Sequence, residues 1–172
     1  PAQRTIWETV KHHFAVSACI LQKDAKIGKI IGFYSVVFAA HTLLFFYSQQ
    51  YFADFGYNKV QISVIMLLVG GASCLGALVS EKMYRWFGKK CLIPETVIIA
   101  GAILCYGAGK ADVAAAALMC AGFANAALYP IQSDSLNALI PSEQRATLIS
   151  VDSMCFSIAM IVLFPLAGAL AD

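Results

Sequence analysis

Five long apolar blocks separated by short polar stretches dominate the chain, over about residues 30–52, 60–79, 92–109, 113–139 and 146–171. Crossing the hydrocarbon core of a bilayer takes about 20 residues of helix, and each block comes close to that length or exceeds it. The stretches between them allow little more than a direct return. The pattern therefore predicts five membrane-crossing helices, antiparallel in sequence order and packed as an all-α bundle, because in lipid only helices and closed barrels satisfy their own backbone. Ahead of the first block, Ile6, Trp7, Val10, Phe14 and Ile20 or Leu21 approximate one helical face. Glu8, Lys11, His12, His13, Gln22, Lys23 and Asp24 lie largely off that face. Residues 1–26 are thus expected to form an amphipathic linker at the membrane surface, followed by a transmembrane bundle over 27–172.

Breakers and small residues refine the blocks. Asp54, Gly56, Asn58 and Lys59 mark a water-exposed turn after the first, and Ser80 to Lys90 reads as a polar loop after the second. Pro94 suits the first turn of the third helix. Beside it, Glu95 is placed to favour that helix's positive end. Gly109 to Asp112 and Ile140 to Arg145 supply the remaining turns. In the second block Gly70, Ser73, Gly76 and Ala77 recur close to helical spacing, which lets a neighbouring helix approach closely.

Composition agrees with a lipid environment: 60% of residues are hydrophobic and 13% charged, against about 25% charged in soluble domains. The net charge of +2 is spread without any basic tract, so no nucleic-acid partner is implied. The lysines and arginines are strongly one-sided. Arg4, Lys11, Lys23, Lys26, Lys29, Lys82, Arg85, Lys89, Lys90 and Arg145 fall on the side of the N-terminal segment, and only Lys59 and Lys110 fall opposite. Positive charge accumulates on the cytoplasmic side, which places the N-terminal segment in the cytosol and supports the count of five spans. The six cysteines are scattered singly and read as small buried hydrophobes, with no metal-ligand spacing and no sign of a cofactor.

Polar residues inside the blocks are the candidates for function, since such groups are costly in a bilayer and usually face the bundle interior or a water-filled cavity. Asn125, Tyr129 and Gln132, at i, i+4 and i+7 in the fourth block, form one stripe beside Pro130. That stripe either lines a cavity or glues helices together. In the first block Tyr34, His41 and Ser48 with Gln49 share a side. His41 either faces the cavity and takes part in proton coupling, as an imidazole of ordinary pKa near 6.5 can, or makes a structural hydrogen bond. Asp152, about two turns into the fifth block, couples to a proton or cation or else pairs with Arg145 seven residues earlier, with Asp134 competing for the same arginine.

Three segments carry a resemblance to a known family. Gly76-x-x-x-x-Glu81-Lys82, continuing to Gly88-Lys89-Lys90, resembles the signature of major facilitator superfamily (MFS) transporters between the second and third helices of each half. Asn137-x-x-Ile140-Pro141-x-x-x-Arg145-Ala146-Thr147-x-x-Ser150 is similar to the family's junction of helices ten and eleven, and the amphipathic lead resembles the linker between halves. The resemblance implies half of an MFS fold, helices seven to eleven of twelve. The N-terminal half of the same protein and the last helix would lie outside the chain, whose two ends are then truncations. It also implies that the seventh and tenth helices line a central cavity, and that Gly76, Glu81, Lys82, Gly88, Lys89 and Lys90 serve a cytoplasmic gate. Tyr47-Ser48-Gln49-Gln50-Tyr51 resembles bacterial efflux-type members, implying a bacterial cytoplasmic membrane.

The expected function is alternating-access secondary transport of a small molecule, with proton-coupled export of a drug-like or amphipathic compound ranked above uptake of a sugar or organic acid. An amide- and aromatic-rich lining without an intramembrane Lys or Arg to hold an anion sets that order. An enzyme is not expected: His12 and His13 lack a matching ligand cluster, and neither H-E-x-x-H nor G-x-S-x-G occurs. A noncatalytic membrane scaffold subunit is the remaining alternative, and the polar residues within the blocks argue against it.

Overall fold

A computed structural model describes residues 7, 8, 11, 15, 25–88, 92–139 and 145–171. Most of the N-terminal lead, the turn at 140–144, Lys89, Lys90 and the side chain of Glu95 lie outside the described residues. The described residues contain five long helices and no strands: α1 (Ala25–Asp54), α2 (Lys59–Phe87), α3 (Leu92–Tyr106), α4 (Ala111–Asn137) and α5 (Arg145–Ala171). Four of them, α1, α2, α4 and α5, are long and apolar enough to cross a membrane.

Helix α3 is shorter than its apolar block. It stops at Tyr106, where Gly107, Ala108 and Gly109 fold back through bonds to the carbonyls of Leu104, Cys105 and Tyr106. Its 15 residues span roughly 22 Å at the ~1.5 Å rise per residue. Helix α2 differs in the other direction, running through most of the expected loop to Phe87. Local pairs support this extension: Arg85 Nε lies 3.9 Å from Glu81 one turn earlier, and Lys82 Nζ sits 4.8 Å above the Trp86 ring. Gly88, at φ 56°, then ends the helix, its N–H bonding the Tyr84 carbonyl. The start of α2 is fixed by a reciprocal cap. Gln61 N–H donates to Asn58 Oδ1 at 3.0 Å, and Asn58 N–H donates to Gln61 Oε1 at 2.9 Å.

Helix α4 is the centre of the bundle. Alanine is the smallest residue with good helix propensity, and the buried row Ala114, Leu118, Ala121, Gly122, Ala124, Ala127 and Leu128 lets α1, α2 and α3 all pack on it. The tightest approach is to α2. A Cβ on Gly76 would run into the Phe123 carbonyl, and one on Gly122 would lie 2.9 Å from Ser73 Oγ and 3.1 Å from Val69 Cγ1. Ser80 adds a bond across the pair, donating to the Ala127 carbonyl at 2.8 Å. Of the four small residues in the α2 stripe, Gly76 is buried and Ser73 half-buried in this contact, whereas Gly70 and Ala77 are exposed. Cys74 and Cys120 are also exposed, on the outer surface of the bundle and not in its core.

At the end of the bundle near Gly56, hydroxyl and aromatic groups tie the helices together. The Ser48 and Tyr106 hydroxyls are 2.7 Å apart, and Tyr51 Oη donates to the Tyr106 carbonyl at 3.2 Å. Tyr57 Oη donates to Asp112 Oδ1 at 3.0 Å, joining the α1–α2 turn to the start of α4. That bond to the carboxylate pushes the Tyr57 phenol above the ordinary tyrosine range.

Helix α5 stands apart from this arrangement. It packs along α1, where Phe164 meets Phe46 and Tyr47, and touches α4 little except through a second apolar cluster of Ile27, Ile31, Leu136, Leu148 and Val151.

If the α2–α4 contact depends on the missing Cβ of Gly76, Gly76→Ala should lower stability by about 1–3 kcal/mol, the usual cost of overpacking. Gly71→Ala, which meets open space, should cost nothing. Thermal unfolding in detergent micelles followed by circular dichroism checks this, and equal midpoints for the two variants would rule the contact out as a stability determinant.

Candidate functional site

Because α5 leans on α1 and diverges from α4, the three helices enclose a cleft. Its larger chamber, about 360 Å³, is lined by Ser35, Phe38 and Thr42 of α1, Asn125 and Tyr129 of α4, and Asp152, Ser153, Phe156 and Ser157 of α5. A smaller chamber of about 130 Å³ adjoins it between α4 and α5, lined by Gln132, Ser133, Leu136, Asn137, Leu148 and Ile149. Tyr129, Asp152 and Ser153 line both chambers and form the waist between them. Gln132 closes this waist from the α4 side, its Nε2 donating to Asp152 Oδ1 at 3.1 Å.

The local sequence explains how these groups arrive there. Asp152, Ser153, Phe156 and Ser157, at i, i+1, i+4 and i+5, form one narrow face of α5, and the Ser157 hydroxyl folds back to the Ser153 carbonyl at 2.9 Å. On α4, Asn125, Tyr129 and Gln132 share a face, with Pro130 among them. Pro130 carries no N–H, so the Ala126 carbonyl loses its usual helical donor beside the cleft. On α1, Ser35, Phe38 and Thr42 occupy i, i+3 and i+7. Phe38 meets Tyr129 across the α1–α4 seam with ring centroids 5.7 Å apart, and Thr42 donates to the Phe38 carbonyl at 2.7 Å.

The electrostatics of the cleft are one-sided. Among the described residues, Asp152 is the sole charged residue lining either chamber, and Gln132 is the sole side chain bonded to its carboxylate. Asn125 Oδ1 is buried without a hydrogen-bond partner, as is Ser35 Oγ. The lining thus offers a carboxylate, an unmet amide oxygen, several hydroxyls and three aromatic rings, and no cation.

The structure brings together four of the residues singled out from sequence, Asn125, Tyr129, Gln132 and Asp152. It places Tyr34 in the main apolar core, Gln49 exposed and His41 off the cleft, with the His41 Nε2 buried and unbonded. Asp134 and Arg145 are exposed and form no ion pair with each other, and Asp152 pairs with Gln132 instead of Arg145. Glu81 and Lys82 are exposed on the α2 extension, Gly76 is buried against α4, and Gly88 is the α2 cap. Sequence reasoning passed over Ser35, Phe38, Thr42, Ser153, Phe156 and Ser157. The polar stripe around Asp152 was there to be read at helical spacing. The α1 stripe was hidden by an equally regular one rotated by a single residue, about 100° around the helix.

An apolar bundle with four helices long enough to cross a membrane, and a cleft with polar groups between three of its helices, fits an integral membrane protein. The chain matches the Major Facilitator Superfamily over residues 3–162, nearly its whole length, and belongs to that family of secondary transporters of small molecules. Comparison with curated proteins and with solved structures gives no match.

A water-accessible cleft can be distinguished from a lipid-facing surface by thiol chemistry, because the thiolate is the reactive form and does not form in hydrocarbon. In a cysteine-free background reconstituted in vesicles, Asn125→Cys and Ser157→Cys should react with a charged methanethiosulfonate about tenfold or more faster than Leu67→Cys and Ile161→Cys. Leu67 and Ile161 are 74% and 72% exposed on the outer surface. Equal rates at the four positions would remove the cleft as an aqueous site.

Proposed function

We propose that the chain is the C-terminal half of a twelve-helix transporter, α1 to α5 being helices seven to eleven, and that the whole protein exports a drug-like or amphipathic compound in exchange for protons. Alternating access needs a site near the midplane between two halves. The polar cleft between α1, α4 and α5 supplies this half's share of it, since in the family resemblance α1 and α4 are the cavity-lining seventh and tenth helices. Asp152 is the coupling group and Asn125, Tyr129 and Gln132 the substrate-contacting ones. The N-terminal segment lies in the cytosol of a bacterial cell, and the sequence segment from Gly76 to Lys90 biases the cytoplasmic gate.

The observation that carries this reading is Asp152 itself: a carboxylate at the waist of a cleft, in a chain that is 60% hydrophobic, with a neutral amide as its partner. A half-buried charge with so little compensation is expensive within a membrane-spanning helix and marks an ion or substrate pathway more often than a structural contact. Export ranks above uptake of a sugar because three aromatic rings, Phe38, Tyr129 and Phe156, face the cleft and suit an amphipathic body better than a polyol.

The test is gradient-driven flux of an amphipathic dye in proteoliposomes containing the full-length protein. An imposed proton gradient should drive accumulation, and Asp152→Asn should abolish the gradient dependence. Asn125→Ala should reduce the rate by roughly tenfold, the scale of one lost hydrogen bond to a charged or buried polar partner. Flux that ignores both the gradient and the Asp152 substitution would sink the proton-coupled reading.

A further inference from the structure

The chemistry of the cleft is more selective than amphipathic character alone. Among the described residues, the only charge in the cleft is negative, and three aromatic rings stand around it. The Asp152 carboxylate carries one hydrogen bond, from Gln132, among the described residues, whereas an ionised carboxylate can accept about four. Asn125 Oδ1 is buried and accepts nothing. Thr42 and Ser157, whose hydroxyls line the same chamber, direct their donor hydrogens into backbone carbonyls of their own helices, at Phe38 and Ser153. Those donors are therefore spent. Among the described residues, no Lys, Arg or His lines either chamber.

Such a set, with a carboxylate and no described cation, is mismatched to anions, which need positive charge. It fits a ligand that brings N–H donors and a positive charge. Phe38 and Tyr129 stand side by side on the wall formed by α1 and α4, and Phe156 comes from α5. An ammonium group within ~6 Å of a ring centroid is attracted by the ring's quadrupole. The chamber of about 360 Å³ falls in the range of roughly 300–1,000 Å³ typical of drug-sized ligand sites.

We propose that this cleft takes a protonated amine on an aromatic or apolar body, with the Asp152 carboxylate as its counter-charge, the Asn125 amide oxygen as second acceptor, and Phe38, Tyr129 and Phe156 around the cation and its body. The proposal deepens the transport reading by naming the charge of the substrate, and it rests on that reading only for the step from binding to movement across the membrane.

Three probes with one body separate charge from shape: 4-phenylbutylammonium, neutral 4-phenylbutanol and anionic 4-phenylbutyrate. Their binding to the full-length protein in lipid nanodiscs is measured by isothermal titration calorimetry at neutral pH. The ammonium should bind at least about tenfold more tightly than the alcohol, as a charge-assisted hydrogen bond exceeds a neutral one by that order, and the carboxylate should not bind. Asp152→Asn should erase the preference for the ammonium while the alcohol still binds. Phe156→Leu, which keeps an apolar side chain and removes the ring, should weaken the ammonium several-fold more than the alcohol, which loses contact with the body but no cation–π attraction. Measurable binding of the alcohol in these variants, with wild-type circular dichroism, also shows that they fold.

Equal affinity for the ammonium and the alcohol, or an ammonium preference that survives Asp152→Asn, overturns the proposal. Its failure is distinct from failure of the transport reading. Asp152-dependent ammonium binding without any gradient-driven flux would keep the cation site and remove the coupled transporter. Gradient-driven flux of neutral dyes with no charge preference in binding would do the reverse.

Discussion

Everything in this bundle depends on how closely α2 and α4 approach at Gly76 and Phe123. Between helices in lipid the hydrophobic effect supplies no net drive, because acyl chains are as apolar as leucine, so association relies on close packing and on a few polar bonds. The α2–α4 pair has both. Gly76 and Gly122 bring the backbones together, and the Ser80 hydroxyl reaches the Ala127 carbonyl. Once α4 is held there, its small-residue surface also receives α1 and α3. The tyrosines at 51, 57 and 106 then close the Gly56 end, with Tyr57 bonding Asp112 at the start of α4.

The cleft is the consequence of what α5 lacks. Nothing comparable to the Gly76 contact joins α5 to α4. Their meeting is confined to the Leu136, Leu148 and Val151 cluster and the single bond between Gln132 and Asp152. Beyond Asp152 the helix follows α1, held by Phe164 against Phe46 and Tyr47. Divergence of two helices from one shared end opens a wedge, and polar residues gather there beside aromatic and aliphatic ones.

The fold was largely legible in the sequence because the bilayer imposes a length and a composition that few other environments do. The five apolar blocks correspond to α1 to α5, and alanine richness in the fourth marked the helix that others surround. The ends were less legible for local reasons. Ser80 to Phe87 is polar enough to read as a loop, yet its charges pair at i, i+4 and continue the helix past the apolar block. Gly107 and Gly109 are apolar-neutral in pattern and invisible to a block count, yet they end α3 early. The site was legible on α4 and at Asp152, where few polar residues compete for attention. On α1 two stripes one residue apart are equally regular, and sequence alone does not say which faces α5. Packing decides it: Tyr34 fits the apolar core, leaving Ser35, Phe38 and Thr42 to the cleft.

The distribution of satisfied and unsatisfied polar groups follows the same division. On the α2–α3 side of α4, hydroxyls find partners: Ser73 bonds the Val69 carbonyl, Ser80 the Ala127 carbonyl, and Ser48 meets Tyr106. On α1 and α4, Ser35 Oγ, His41 Nε2, Asn125 Oδ1 and Ser135 Oγ are buried without partners. Buried polar atoms are bonded in the large majority of cases, and orphans ask for a reason. Of these four, Ser35 and Asn125 line the larger chamber beside Asp152, where a ligand or water can meet them. Leaving such atoms unpaired within a lipid-embedded bundle is costly, and a scaffold with no ligand to bind gains nothing by it. Two of the four unpartnered atoms thus lie at the cleft, set against an α2–α4 contact where the Ser73 and Ser80 hydroxyls both bond backbone carbonyls.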